Sequence, residues 1–308
     1  MLSRIANNLY WAGRNLERLE HVARFIPVNY FSSLDGPEAL DAQHMLRALN
    51  AMAGDLPVDQ PIEERDLLFN IAFDEKNYSS VISCAHLTRE NCRGSRDLLS
   101  TELWEEINGL YHYVQDFDEE RYLGTSMSEF MVGLQGHVLS CKAQVDSSLI
   151  KNQVWSTLKL GLLLERSFQI SRIIQIKLND LEFLKNEKEI LQDYESEVLL
   201  KCLQAFDMNR KYYRKPVNQE RALEFLIFNE KFPRSLAYCL SKVCIYLKDL
   251  SLDEKGSKLS VRMIAEHLKN QLIFGSMDDL KRDPKKYMAG IQSEIAKMNQ
   301  ILVSHYFD

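Results

Sequence analysis

The chain has 308 residues, 45% of them hydrophobic and 27% charged, with a formal net charge of −6. That composition excludes collagen-like and disordered chains, and a chain of this length buries about three-quarters of its unfolded surface without disulfide or metal staples. The acidic balance argues against a nucleic-acid binder.

The N-terminal string MLSRIANNLYWAGR carries two arginines and no unbroken apolar stretch, so it does not read as a signal peptide. Leu2, Ile5, Leu9, Ala12, Leu16, Leu19, Ala23 and Ile26 follow in steps of three and four, placing an apolar seam along one helix face. Pro27 is expected to kink or end that helix. Further helices are predicted near 37–53, 61–73, 78–115 (broken near Gly94 or Ser100), 126–149, 150–180, 186–213, 217–230, 233–250, 256–274 and 284–305. Pro37, Pro61, Pro233 and Pro284 stand where a helix can begin, the position at which proline costs least. Residues 62 to 215 hold no proline, and hairpin-type turn dipeptides are scarce. The predicted fold is all-α, a multi-helix bundle.

An internal repeat organises this bundle. Gly13, Glu17, Arg18 and Arg24 recur as Gly161, Glu165, Arg166 and Arg172, with Trp11 and Trp155 upstream. A weaker echo joins the Arg93 region to Arg234. The expectation is a single domain over 1–308 built from two pseudo-repeated halves, approximately 1–147 and 148–308.

The charges inside the apolar helices locate the candidate site. Tyr10, Arg14, Glu17, His21 and Arg24 form one polar line on the first helix, flanked by Trp11 and Arg18. Glu165, Gln169 and Arg172 form another, beside Arg166, on a helix that is apolar nearly all round. Arg89, Arg93 and Arg96 make a four-three stripe with Glu90 and Asn91 beside it. Buried charges must meet partners, and arginine's planar fork suits carboxylate or phosphate. The expectation is that these lines gather at one arginine-rich, anion-attracting centre. The alternative is that every group is paired internally and the network only fixes helix register.

Other chemistries find little support. No histidine has a glutamate three residues before it, and only Asp41-x-x-His44 comes near the di-metal bundle pattern. H-E-x-x-H, a Gly-rich phosphate loop and a Ser or Cys nucleophile signature are absent, so no metal and no cofactor are expected. The six cysteines contain no C-x-x-C and read as reduced residues of a cytoplasmic protein. No run approaches the ~18 apolar residues of a membrane span. Residues 208–216, MNRKYYRKP, interleave basic and aromatic side chains; this stretch reads as a solvated helix end, with RNA or an acidic partner as the alternative. Pro233-Arg234-Ser235 begins a helix whose free N–H groups favour an anion.

The string N-L-Y-W-x-G-R-x-x-E-R from Asn8 to Arg18 resembles the opening of the alpha-E family. The resemblance extends through R-E-N-x-R (Arg89 to Arg93), Glu-Leu-Trp-Glu at 102–105 with Asn108, Gly161 to Arg166, and Pro-Arg-Ser at 233–235. It departs at Pro27, and at Leu162, where the second copy lacks a counterpart of Arg14. The resemblance implies a bacterial helical protein. It also implies partnership with a circularly permuted ATP-grasp protein and a transglutaminase-like peptidase, in a system that forms or tailors peptide or amide bonds. Three readings follow. The chain is a non-catalytic component that binds a peptide, an acidic small molecule or the ATP-grasp partner. Or it is an enzyme with Glu17 or Glu165 as general base and Arg14, Arg18 or Arg166 stabilising negative charge. Or it is a structural scaffold.

Overall fold

The computed structural model describes residues 2–34, 42–57, 59–184, 189–250 and 261–307. Among the described residues there is no strand, so the fold is all-α as the periodicity predicts. The chain divides into two compact units: Asn8–Leu158, and Lys159–Asp308 together with Met1–Asn7.

The first unit contains most of α1 (Ser3–Leu34), then α2 (Ala42–Ala53), α3 (Glu64–Ala72), α4 (Val81–Arg93), α5 (Thr101–Asp116), the single turn α6 (Glu119–Arg121) and α7 (Met127–Ser148). Its centre is α5, which packs on both α4 and α7. Leu103, Ile107, Leu110 and Val114 of α5 are buried at steps of four and three, as are Leu134, Val138, Cys141 and Val145 of α7. Gly133 allows the close approach of these two helices. A Cβ there would stand 2.1 Å from the Tyr113 hydroxyl oxygen, so a larger residue forces the ring aside.

The second unit contains most of α8 (Gln153–Phe183), then α9 (Glu189–Cys202), α10 (Phe206–Tyr213), α11 (Gln219–Phe228), α12 (Leu236–Asp249), α13 (Val261–Ile273), α14 (Met277–Arg282) and α15 (Pro284–Leu302). Here α11 packs on α9 and α12, and α13 packs on α12 and α15. Lys177 of α8 ties α8 to α9, with its ammonium 2.9 Å from Asp180 and 3.0 Å from Glu195. All three side chains are buried. Burial alone would lower the Lys177 pKa, but the two carboxylates outweigh it and hold the ammonium above its usual range.

Several boundaries differ from the sequence expectation. Pro27 does not end α1, which continues to Leu34. Proline removes one helix hydrogen bond and crowds the carbonyl a turn before it, and buried Phe25, Ile26 and Asn29 hold the chain helical on both sides of it. The Asn29 amide also donates to the Phe25 carbonyl at 3.0 Å, across the proline. The stretch 78–115 breaks at both candidate positions: α4 is capped at Gly94, and α5 starts after Ser100, whose hydroxyl accepts the Leu103 N–H. The predicted 186–213 helix is two helices. Gln204 takes a left-handed φ of 55°, Ala205 N–H donates to the Leu200 carbonyl and Gln204 N–H to that of Lys201. These are the two bonds of a Schellman stop, with glutamine where glycine is usual.

Helix α14, with its Ser276–Asp279 capping box, was not anticipated. Pro284 stands in the first turn of α15, whereas α3 starts three residues after Pro61 and α12 starts after its Ser235 cap, beyond Pro233. Pro37 and the start expected near 256 lie outside the described residues.

Candidate functional site

In the first unit, α1 is buried on almost every side from Leu9 to Ile26. The predicted polar line is therefore inside the protein: Tyr10, Arg14, Glu17, His21 and Arg24 are all buried, while Trp11 and Arg18 are half-buried. Glu17 and Glu20 have no exposed surface at all. Lys142 of α7 reaches across to hydrogen-bond both carboxylates. His21 Nε2 lies 3.3 Å from Glu17 Oε1, and the Arg24 guanidinium donates to Glu20 at 3.1 Å. Arg14 donates to the Tyr10 hydroxyl at 3.3 Å and stands 5.2 Å from the Trp11 ring centre. Two acids on one helix thus share one ammonium from another, with an arginine and a histidine one turn along. In a low-dielectric interior this arrangement stays charged only because the opposite charges are supplied together.

Sequence reasoning missed Glu20 and Lys142. Glu20 stands three residues after Glu17 and four before Arg24, so it belongs to the same line. Lys142 stands one residue past Cys141, which continues the buried row Leu134, Val138, Cys141 and Val145, so the apolar pattern does not single it out. Only the signal for Glu20 was present in the sequence.

The arginines of residues 89–96 do not form one stripe. Helix α4 ends at Arg93, and Arg96 belongs to a separate 3₁₀ turn, Arg96–Leu98. Arg93 points outward, paired with Glu90. Arg89 and Arg96 instead converge on Trp104 of α5, at 5.8 Å and 5.4 Å from its ring. Arg89 also donates from Nε to Asn108 Oδ1 at 2.8 Å and lies over Tyr111 at 4.9 Å. Asn91 is half-buried beside them. Gly94 brings this corner against the Asn8 end of α1, because a Cβ there would meet the Asn8 amide at 2.4 Å.

In the second unit Glu165 is fully buried and accepts the Gln169 amide at 2.7 Å. Arg166 and Arg172 are half-buried. Arg166 donates to the Pro233 carbonyl at 3.3 Å, which joins the second Glu-Arg pair to Pro233-Arg234-Ser235 at the start of α12.

The family model of Alpha-E, "a predicted alpha-helical domain with a conserved ER motif", matches residues 1–307. The chain belongs to the Alpha-E family. Two Glu-Arg pairs, Glu17-Arg18 and Glu165-Arg166, each with a buried glutamate and a half-buried arginine, accord with the ER motif in the Alpha-E description. The chain is 21% identical over 332 residues to the "Uncharacterized protein Mb2597" of Mycobacterium bovis and to the "Uncharacterized protein Rv2567" of Mycobacterium tuberculosis. Each alignment covers 98% of this chain and 36% of the mycobacterial one, so this Alpha-E chain spans about a third of the relatives it matches. No solved structure matches it.

Among the described residues, no three His, Cys, Asp or Glu side chains are grouped to hold a metal ion. No helix among them is long and apolar enough to cross a membrane. The described hollows lie away from the Glu-Arg pairs. One of about 370 Å³ in the first unit is bounded by Tyr78, Ile82, His86 and Tyr111. A groove of about 1030 Å³ in the second unit runs between α9 and α10.

Proposed function

We propose that this Alpha-E chain is a non-catalytic helical component of a peptide-forming or peptide-tailoring system. It binds a peptide, an acidic small molecule or an ATP-grasp-type partner protein, with a transglutaminase-like peptidase in the same system. The observation that carries this reading is the state of Glu17. Its carboxylate has no surface open to solvent and is already engaged by Lys142 and His21. A general base must come within hydrogen-bond reach of the proton it removes. Glu165, equally buried, is committed to Gln169.

The length of the mycobacterial relatives supports the same reading, since a module matching 36% of a longer chain fits a part that works beside others. The partner's chemistry comes from the family resemblance alone. A cytoplasmic setting goes with it, supported by six free cysteines.

Co-expression with an ATP-grasp-type protein, followed by affinity purification, is the direct test. A stable complex is the expected result, and a chain that turns over a peptide unaided would overturn the reading. Glu165→Gln is expected to leave the activity of a reconstituted system intact. A stably folded Glu165→Gln variant that abolishes turnover would instead favour the general-base mechanism.

A further inference from the structure

The groove between α9 and α10 has an acidic wall and a mainly basic one. From α9 it receives Asp193 and Glu197, one turn apart; from α10 and its end it receives Arg210 and Lys211, then Arg214 one turn beyond Arg210, and Lys215, with one acid, Asp207, at the start of that wall, and its lining includes the apolar Phe206. No carboxylate among the described residues lies within ion-pair distance of Arg210, Lys211 or Arg214. Asp193 is likewise without an ion pair, and Glu197 meets only Lys201, at 3.9 Å. Facing walls of opposite charge that leave each other unpaired across an open groove can be bridged by a ligand carrying both signs.

The local backbone keeps them apart. Gln204, with its left-handed φ of 55°, turns the chain between the helices, and Arg214, at φ 53°, ends α10 so that its side chain stays on the groove. Arg210 is braced 5.4 Å from the Phe206 ring centre.

We propose that this groove binds an extended peptide segment in which acidic and basic residues alternate, the acidic side chains facing α10 and the basic ones facing α9. Side chains two apart on an extended strand point the same way and repeat every ~6.7 Å. Residues four apart on a helix repeat every ~6 Å. Arg210 and Arg214 can therefore meet two successive acidic side chains, while Asp193 and Glu197 meet the basic ones between them. A polyanion fits badly, because one of its flanks would face Asp193 and Glu197.

The test is fluorescence anisotropy of the full chain with three labelled probes: an alternating Glu-Lys peptide, a block peptide of the same composition with all glutamates first, and a short oligo-dT. The alternating peptide is expected to bind at least about tenfold more tightly than either of the others, and less tightly as salt rises. Arg210→Glu with Arg214→Glu removes binding. Adding Asp193→Lys and Glu197→Lys, which exchanges the signs of the paired positions on the two walls, restores it, because a one-residue slip re-aligns an alternating strand. All four side chains lie at the surface or part-way to it, so circular dichroism should show the fold unchanged. Equal binding of the block peptide, tighter binding of oligo-dT, or no binding of the alternating peptide would overturn the proposal. So would an inverted groove that fails to regain binding.

Discussion

The charges on α1 and those on α10 obey opposite rules. On α1, Glu17 and Glu20 are sealed from solvent, and each has a cation within hydrogen-bond reach. On α10 and at its end, Arg210, Lys211 and Arg214 are exposed, and no carboxylate among the described residues lies within ion-pair distance of them. A buried charge left alone is too costly to persist, so its partners are built into the fold and what it specifies is the position of one helix against another. An exposed charge costs almost nothing unpaired, so it remains available to a ligand. The motif that identifies the family and the surface that can recruit a ligand therefore need not coincide.

The sharpest way to break this comparison is Lys142→Met. It leaves two carboxylates facing each other in the core, and the expected cost is about 3–5 kcal/mol of folding stability, measured by urea denaturation. Adding Glu17→Gln alone, which leaves Glu20 to its Arg24 partner, should recover much of that loss, since removing both members of a buried ion pair costs far less than removing one. If Lys142→Met alone proved harmless, the carboxylates would have to be balanced by something other than the lysine.

The core also holds acids that escape the problem by staying neutral. Cys92 of α4 is fully buried, and burial pushes its thiol up to about 12. The unfolded chain releases that proton near the ordinary value of 9.0. The folded state binds the proton more tightly, so the stability is complete below that ordinary value and drains away as pH rises toward about 12. The slope is at most about 1.4 kcal/mol per pH unit. Denaturation at a series of alkaline pH values should show this fall, and Cys92→Ala should flatten it, whatever the variant's absolute stability. Cys141 is pushed up by burial too, so some slope remains in the variant.

Much of this was legible in the residues. Helix class, both breaks near 94 and 100, the core character of α8 and the burial of Glu17 and Glu165 follow from apolar periodicity and the cost of lone charges. What escaped was tertiary. Lys142 becomes visible as a partner only once α7 is known to bring it against Glu17 and Glu20 of α1. The stop at Gln204 carries no glycine or proline, so nothing in the local residues announces the left-handed turn that its two backbone hydrogen bonds close. The continuation of α1 past Pro27 is another case of packing overriding propensity. The basic stretch 208–216 is the solvated helix end that the acidic balance of the chain suggested, with Arg210, Lys211 and Arg214 exposed at the end of α10, while the groove it shares with Asp193 and Glu197 of α9 is visible only in the folded chain.

The smallest expected effect comes from the other side of the comparison. Arg210→Glu with Lys211→Glu reverses two exposed charges that hold nothing in place, so stability should change by no more than about 0.5 kcal/mol. One contribution runs against this. Basic residues near a helix C-terminus complement the helix dipole, and reversing Arg210 and Lys211 at the end of α10 forfeits a few tenths of a kcal/mol. The Phe206 ring also loses its arginine neighbour. Neither term approaches the cost of stranding Glu17 and Glu20. If thermal denaturation of this double variant fell as far as that of Lys142→Met, the groove cations would be structural after all, and the separation between register-fixing charges and ligand-facing ones would collapse.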